Sequence, residues 1–232
     1  MSRVSERAAA SRGGRLGRTR LSLVRHGETV WHADNRYAGG TSDIDLTETG
    51  VRQAQALALW AQAQHIDGVV ASPVRRALET ARPSAEALGV EIEIVEDLRE
   101  VDFGMAEGRT VDELMSLDAE MVQRFRADPV ANPFPGAESP EIAAQRSGDA
   151  LRAIARRHEG RNLLVVAHNT LLRLAICDLI GLPVARYRQI FPRLDNAAIT
   201  QVAVPRARTE PASLICLNVQ LPLPDHHPKE QP

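Results

Sequence analysis

The stretch from Leu21 to Thr29 reads Leu-Ser-Leu-Val-Arg-His-Gly-Glu-Thr, a short apolar run that stops at an arginine, a histidine and a glycine. A run of that kind reads as a buried strand. Arg25 and His26 at its carboxyl end are badly placed for packing and well placed for chemistry, because open α/β sheets bind ligands outside the carboxyl ends of their strands. A guanidinium grips an anion through paired N–H donors, and an imidazole beside it can serve as a nucleophile or as an acid and base. Gly27 removes a side chain where backbone or ligand must come close. Ser72-Pro-Val-Arg-Arg76 follows the apolar run 68–71 and opens a helix, whose free N–H groups and positive end favour an anion. The irregular stretch 98–108 carries Glu100, Asp102 and Glu107, and His168 closes the apolar run 162–167.

Elements must bring these residues together. Strands are expected over 21–24, 68–71, 91–95, 162–167, 197–204 and 213–219. A helix over 47–64 has Thr47 as N-cap and Val51, Ala54, Leu57, Ala58 and Ala61 at helical spacing. A second, over 72–88, takes Ser72 as cap and Pro73 at its first position and is closed by Gly89. Thr110 and Glu113 form a capping box that opens a helix to 127, and further helices are expected over 139–158 and 170–180. Strands alternating with helices argue for an α/β fold, with a largely parallel central sheet and helices on both faces. The helices between 110 and 158 should form a cap beside the site, and 30–45 a loop over it.

With 232 residues, 44% of them hydrophobic, the chain can bury a sizeable core in one domain. Its charge is uneven. Residues 1–20 hold six arginines against one acid, Glu6, while the whole chain is at −2, so the remainder is net acidic. That arm is expected to be disordered and solvated; it lacks the apolar run of a secretory signal, and nothing in the chain is long enough to span a membrane. The domain is expected over 21–221, followed by a flexible Pro-rich tail over 222–232. Cys177 and Cys216 each lie in an apolar run and are expected as buried free thiols.

Arg25-His26-Gly27-Glu28-Thr29 resembles the signature of the histidine phosphatase superfamily, also called the phosphoglycerate mutase-like family, and the resemblance runs from about 21 to about 204. It implies that His26 is phosphorylated during turnover. Ser72-Pro-Val-Arg-Arg-Ala-Leu-Glu-Thr-Ala81 resembles the second motif, Ser-x-x-x-Arg-Ala-x-x-Thr-Ala. The arginine just before the alanine is Arg76, so the phosphate-binding role falls to Arg76 and Arg75 is left as a solvated helical arginine. The stretch 98–108 resembles Leu-x-Glu-x-x-x-Gly-x-x-Glu-Gly, which puts Glu100 in the position of the proton donor; from the residues alone Asp102 competes for that role, and Glu107 organises the loop. Val165-Val-Ala-His-Asn-Thr-Leu-Leu-Arg173 resembles the fourth motif, with His168 as a cationic partner opposite His26. Asn169 stands where the family often has glycine and would serve through its backbone N–H. His32 stands where the family often has asparagine and would bond a phosphate oxygen. Residues 35–43 resemble the loop that covers the phosphate, with one extra residue, so Gly39, Gly40 and Thr41 are alternatives for the ligand-facing position; Gly40 and Thr41 are taken as contacts.

The resemblance implies a phosphatase that hydrolyses small-molecule phosphomonoesters through a phosphohistidine, with no cofactor and no metal, since arginines supply the positive charge. A phosphoglycerate mutase is the nearest alternative. Mutases of the family carry a longer insertion with paired arginines, whereas here the 26 residues 109–134 hold Arg109, Arg124 and Arg126 and no adjacent pair. A catalytically inactive module that binds phosphorylated ligands is a second alternative. The chain is expected in the cytoplasm, without membrane contact or a nucleic-acid partner, and a homodimer is left open.

Overall fold

Three of the apolar runs lie side by side and in register. The computed structural model describes residues 18–207 and 209–223. In it β1 (Arg18–Arg25), β2 (Gly68–Ala71), β3 (Ile92–Ile94) and β4 (Asn162–Ala167) run parallel, β5 (Ile199–Pro205) lies antiparallel to β1, and β6 (Ser213–Val219) antiparallel to β5. The order is β3-β2-β4-β1-β5-β6. Arg25 stands opposite Ala167, and Ala71 opposite Val166. The chain therefore leaves β1, β2 and β4 at one edge of the sheet, and the residues that leave it are His26, Ser72 and His168. The expected fold class is the one observed.

Side chains alternate across the sheet with period two. Leu163, Val165 and Ala167 of β4 join Leu21 and Leu23 in a core under α5 (Pro140–Arg157) and α6 (Asn169–Ile180), while Leu164 and Val166 join Val24 in a core under α1 (Glu48–Ala63) and α2 (Arg75–Leu88). Both faces are covered, which is why the central strands read as continuous apolar runs.

Local chemistry moves several boundaries. β1 begins at Arg18, so Arg18, Thr19 and Arg20 belong to the sheet and not to the basic arm; Thr19 is buried and its hydroxyl donates to the Ala155 carbonyl at 2.8 Å. The remainder of the expected arm, 1–17, and of the tail, 224–232, lie outside the described residues. Helix α2 starts at Arg75, with Val74 as N-cap; the Ser72 hydroxyl accepts the Val74 N–H at 3.3 Å ahead of the helix and also bonds His168 at 2.8 Å. The helix expected over 110–127 divides into α3 (Val111–Leu117) and α4 (Ala119–Ala127), since Asp118 is extended and its carboxylate accepts the Met121 N–H to start a second helix. Among the described residues these two helices form the cap, with a core of their own around Leu114, Val122, Phe125 and Phe134. Helix α5, expected in the cap, packs under the sheet instead, since its apolar positions Leu151 and Ile154 belong to the main core. A last short helix, α7, spans Tyr187–Ile190. Cys177 is a buried free thiol as expected; Cys216, on the edge strand β6, is only half-buried. Among the described residues no helix is long and apolar enough to cross a membrane.

Candidate active site

His26 leaves β1 with both ring nitrogens specified. Its Nδ1 lies 2.8 Å from the Gly27 carbonyl, which can only accept, so the proton sits there. Nε2 then carries the lone pair, and the Arg76 Nε–H donates to it at 3.2 Å. The ring is almost completely buried, and burial holds it well below the ordinary histidine value, with Arg76, His168 and Arg25 pushing the same way. A neutral imidazole with a bare Nε2 is the form that can attack. Gly27 is required by close approach: a Cβ there would meet the Gly50 carbonyl oxygen at 2.7 Å. The Gly27 N–H donates to the Thr80 hydroxyl at 2.9 Å, and that hydroxyl donates in turn to the Arg76 carbonyl at 2.7 Å, which ties the end of β1 to α2.

Arg76 lies in the first turn of α2 with no exposed surface. Its Nη atoms donate to the carbonyls of Ala38, Gly39 and Ser42, so the guanidinium that touches His26 also holds the covering loop. Arg75 points to solvent and pairs with Asp45 at 2.5 Å and Glu79 at 2.8 Å. Arg25 is clamped at both ends, Nη1 donating to the Leu194 carbonyl at 2.9 Å and Nη2 lying 2.5 Å from His32 Nε2, while its buried Nε has no partner. Burial lowers Arg25 to about 10.

His168 faces His26 with ring centroids 5.3 Å apart. Its Nε2 bonds the Ser72 hydroxyl at 2.8 Å, and its buried Nδ1 has no partner. The expected cation is corrected: burial, followed by Arg76 and Arg25, holds His168 well below the ordinary value and favours the neutral ring. Glu100 is buried at the N-terminus of α6 and accepts the N–H groups of Thr170 at 3.0 Å and Leu171 at 2.8 Å, and also that of Val101. Those bonds favour the carboxylate, but desolvation outweighs them and its pKa is raised. Asp102 is exposed and accepts the Gly104 N–H in a turn, away from the cleft. Glu107 accepts the Gly39 N–H at 2.9 Å and a bond from the Ser42 hydroxyl, which organises the loop as expected.

A cleft of about 320 Å³ opens between the sheet edge and the cap, lined by Arg25, His26, His32, Glu100 and Asn169. Gly40 and Thr41, expected as contacts, do not line it; the Gly40 carbonyl takes Arg99 and Thr41 is exposed. The Asn169 side chain is used to accept the Leu194 N–H. Among the described residues no three His, Cys, Asp or Glu side chains converge as a metal-ion site.

The family model of the histidine phosphatase superfamily, branch 1, matches residues 21–215. This chain belongs to the histidine phosphatase superfamily. It is 32% identical over 189 residues to phosphoserine phosphatase 1 of Hydrogenobacter thermophilus, covering 82% of this chain and 88% of the relative. A protein of Enterobacter sp. named as a phosphoglycerate mutase is 34% identical over 180 residues, covering 78% and 82%. The α-ribazole phosphatase of Shigella flexneri superposes with a TM-score of 0.75 at 29% identity, covering 88% of this chain and 99% of that one. The structural neighbours are phosphoglycerate mutase-like histidine phosphatases.

Within this superfamily site stand residues that sequence reasoning missed. Asn196 donates to the His26 carbonyl at 2.9 Å from 170 positions away, and no local pattern announces it. Arg173 was visible only as the last residue of the fourth motif. It is 3% exposed, donates through Nε to the Phe191 carbonyl at 2.6 Å, lies 4.8 Å over the Tyr187 ring and leaves a buried Nη2 without a partner. Arg126 and Arg188 line the same cleft, Arg188 lying 4.9 Å over Phe125.

Proposed function

We propose that the protein is a phosphatase that hydrolyses small-molecule phosphomonoesters through a phosphohistidine on His26. The observation that carries this reading is the tautomer of His26: Nδ1–H given to the Gly27 carbonyl, and Nε2 left unprotonated with its lone pair toward the Arg76 Nε–H, in a ring that lines the cleft. Nε2 attacks phosphorus in line while the bond to the leaving oxygen breaks, and that oxygen takes the proton of Glu100. The Glu100 carboxylate then accepts a proton from a water whose oxygen attacks phosphorus, the P–N bond breaks, and His26 returns to its starting form. The raised pKa of Glu100 supports its role as the acid. Arg25, Arg76 and the open Nδ1 of His168 hold the phosphoryl oxygens and take up the charge that spreads onto them. An approaching dianion is also the group that would draw a proton onto His168. No metal enters these steps.

The leaving group is proposed to carry a second negative charge. Arg126, Arg173 and Arg188 line the wall toward the cap, where Arg173 is lowered to about 10 by burial, with Arg188 pushing the same way. The names of two relatives, a phosphoserine phosphatase and a phosphoglycerate mutase, point to phosphorylated carboxylic acids. The mutase reading differs in its product, an isomeric phosphate ester in place of free phosphate.

The test is a base quench after mixing with an aryl phosphate in excess chelator. The expected result is one phosphoryl group on the peptide that holds His26, with free phosphate released. Phosphate release from the His26→Ala variant at the wild-type rate would overturn the mechanism, and loss of activity restored only by a divalent ion would overturn its metal-free form.

A further inference from the structure

His32 departs from the superfamily pattern inside the cleft, and its neighbours specify its charge. On one side, its Nε2 faces only donors: Arg25 Nη2 at 2.5 Å and Asn196 Nδ2 at 3.3 Å. A guanidinium has no acceptor, and the Asn196 amide is oriented by its bond to the His26 carbonyl, so Nε2 must present a lone pair. On the other side, Nδ1 has an acceptor in the Thr29 hydroxyl at 2.8 Å. The Thr29 N–H, 2.9 Å away, competes for a lone pair at Nδ1, but the neutral ring has only one, and the charge-assisted bond from Arg25 is the stronger claim. The proton therefore resides on Nδ1.

We propose that His32 is a positioning residue: its neutral imidazole accepts from the Arg25 guanidinium through Nε2, completing a clamp with the Leu194 carbonyl that leaves the Arg25 Nε–H free for a phosphoryl oxygen, and protonation of His32 breaks that clamp. An imidazolium would set N–H against N–H and cation against cation at 2.5 Å. Arg25 on β1 and Arg76 on α2 act against protonation, whereas Glu28, whose carboxylate also takes the Thr47 hydroxyl at 2.7 Å, acts for it. The His26 ring, 6.0 Å away, is itself neutral. Burial and Arg25 together hold His32 below its ordinary 6.5. Arg25 is thus held for use above the His32 pKa and released as pH falls through it. An amide side chain at this position could not titrate and would lack that acid sensitivity.

This proposal rests on the phosphatase reading, which assigns Arg25 to the phosphoryl group. The test compares wild type with His32→Gln and His32→Ala. Glutamine carries an amide oxygen to about the reach of Nε2 and does not titrate; alanine offers no acceptor. Wild-type kcat/KM should fall in acid through two groups, the substrate phosphate near about pH 6 and His32. His32→Gln should keep only the substrate limb, so its activity relative to wild type rises as pH falls. His32→Ala should lose about 10–100-fold at about pH 8, the scale of a lost positioning contact. Calorimetric binding of inorganic phosphate gives a second readout that needs no turnover, and wild-type affinity should fall more steeply with acid than that of His32→Gln. Identical acid limbs in wild type and His32→Gln would overturn the proposal, as would full activity in His32→Ala. Phosphate binding with the expected pH dependence, but no hydrolysis of any phosphomonoester in a panel, would leave His32 in its role and overturn the phosphatase reading alone.

Discussion

Arg75 and Arg76 are neighbours in sequence with opposite surroundings, one exposed among carboxylates and the other buried against His26 and the covering loop. Arg76→Ala should cost about 3–4 kcal/mol of transition-state stabilisation, the worth of one preorganised donor, and Arg75→Ala should leave steady-state kinetics nearly unchanged. The reverse ranking would mean that the second motif is read one residue out of register. Glu100 is tested by its leaving group. Glu100→Gln should slow an alkyl phosphate by up to about 10²–10⁴-fold and a nitrophenyl phosphate far less, because only the alkoxide needs a proton to depart. Asp102→Asn should slow neither; a leaving-group-dependent loss there would move the acid to Asp102. The raised pKa of Glu100 also has a thermodynamic side. Its burial favours the protonated form, so the stability it contributes is present at low pH and is lost as pH rises through the raised value. The unfolding free energy of wild type, measured against that of Glu100→Gln, should decline as pH climbs above the ordinary carboxyl range. At this scale the sequence was legible for Arg25, His26, Arg76, Glu100 and His168, whose motifs are local. It was opaque for Asn196, whose partners His26 and His32 come from the far end of the chain.

At the scale of elements, the crossing of the β1 turn over the start of α1 is set by two glycines. Gly27→Ala would drive a Cβ to 2.7 Å from backbone at Gly50, which has no flexible end to swing aside. Such overpacking should destabilise the fold by about 1–3 kcal/mol, read in denaturant unfolding, and lower kcat/KM through displacement of His26. An unchanged midpoint would show that the turn has slack the geometry does not suggest. Strand β4 was readable to the residue because an apolar run bounded by Asn162 and His168 admits one answer. Helix α2 begins three residues later than the Ser72 pattern suggests, because the Ser72 hydroxyl accepts the Val74 N–H in a turn ahead of the helix and also meets a histidine 96 residues later. The cap was misread for a related reason. Helices α4 and α5 are both amphipathic, and periodicity shows that a helix has an apolar face without showing which neighbour that face meets.

For the molecule as a whole, the first consequence concerns its basic arm. Removal of residues 1–17 should leave the rate and the thermal midpoint at their wild-type values. Removal of 1–20 takes Arg18, Thr19 and Arg20 out of β1, and with Thr19 a buried hydroxyl bonded to the Ala155 carbonyl, so the midpoint should fall. Equal midpoints for the two truncations would contradict the strand boundary. The other consequence follows from the strand order. β1, which delivers the nucleophile, is flanked only by β4 and β5, and its partners there are residues 162–167 and 199–205. During synthesis the first reactive residues made must therefore wait for nearly the last of the domain. At roughly 5–20 residues per second, about 7–28 s separate synthesis of the end of β1 from that of the end of β4, the first of its two partners to be made. Until β4 is made the apolar Leu21, Leu23 and Val24 have no strand to join, so the nascent chain is a client for whatever shields unpaired strands on the ribosome.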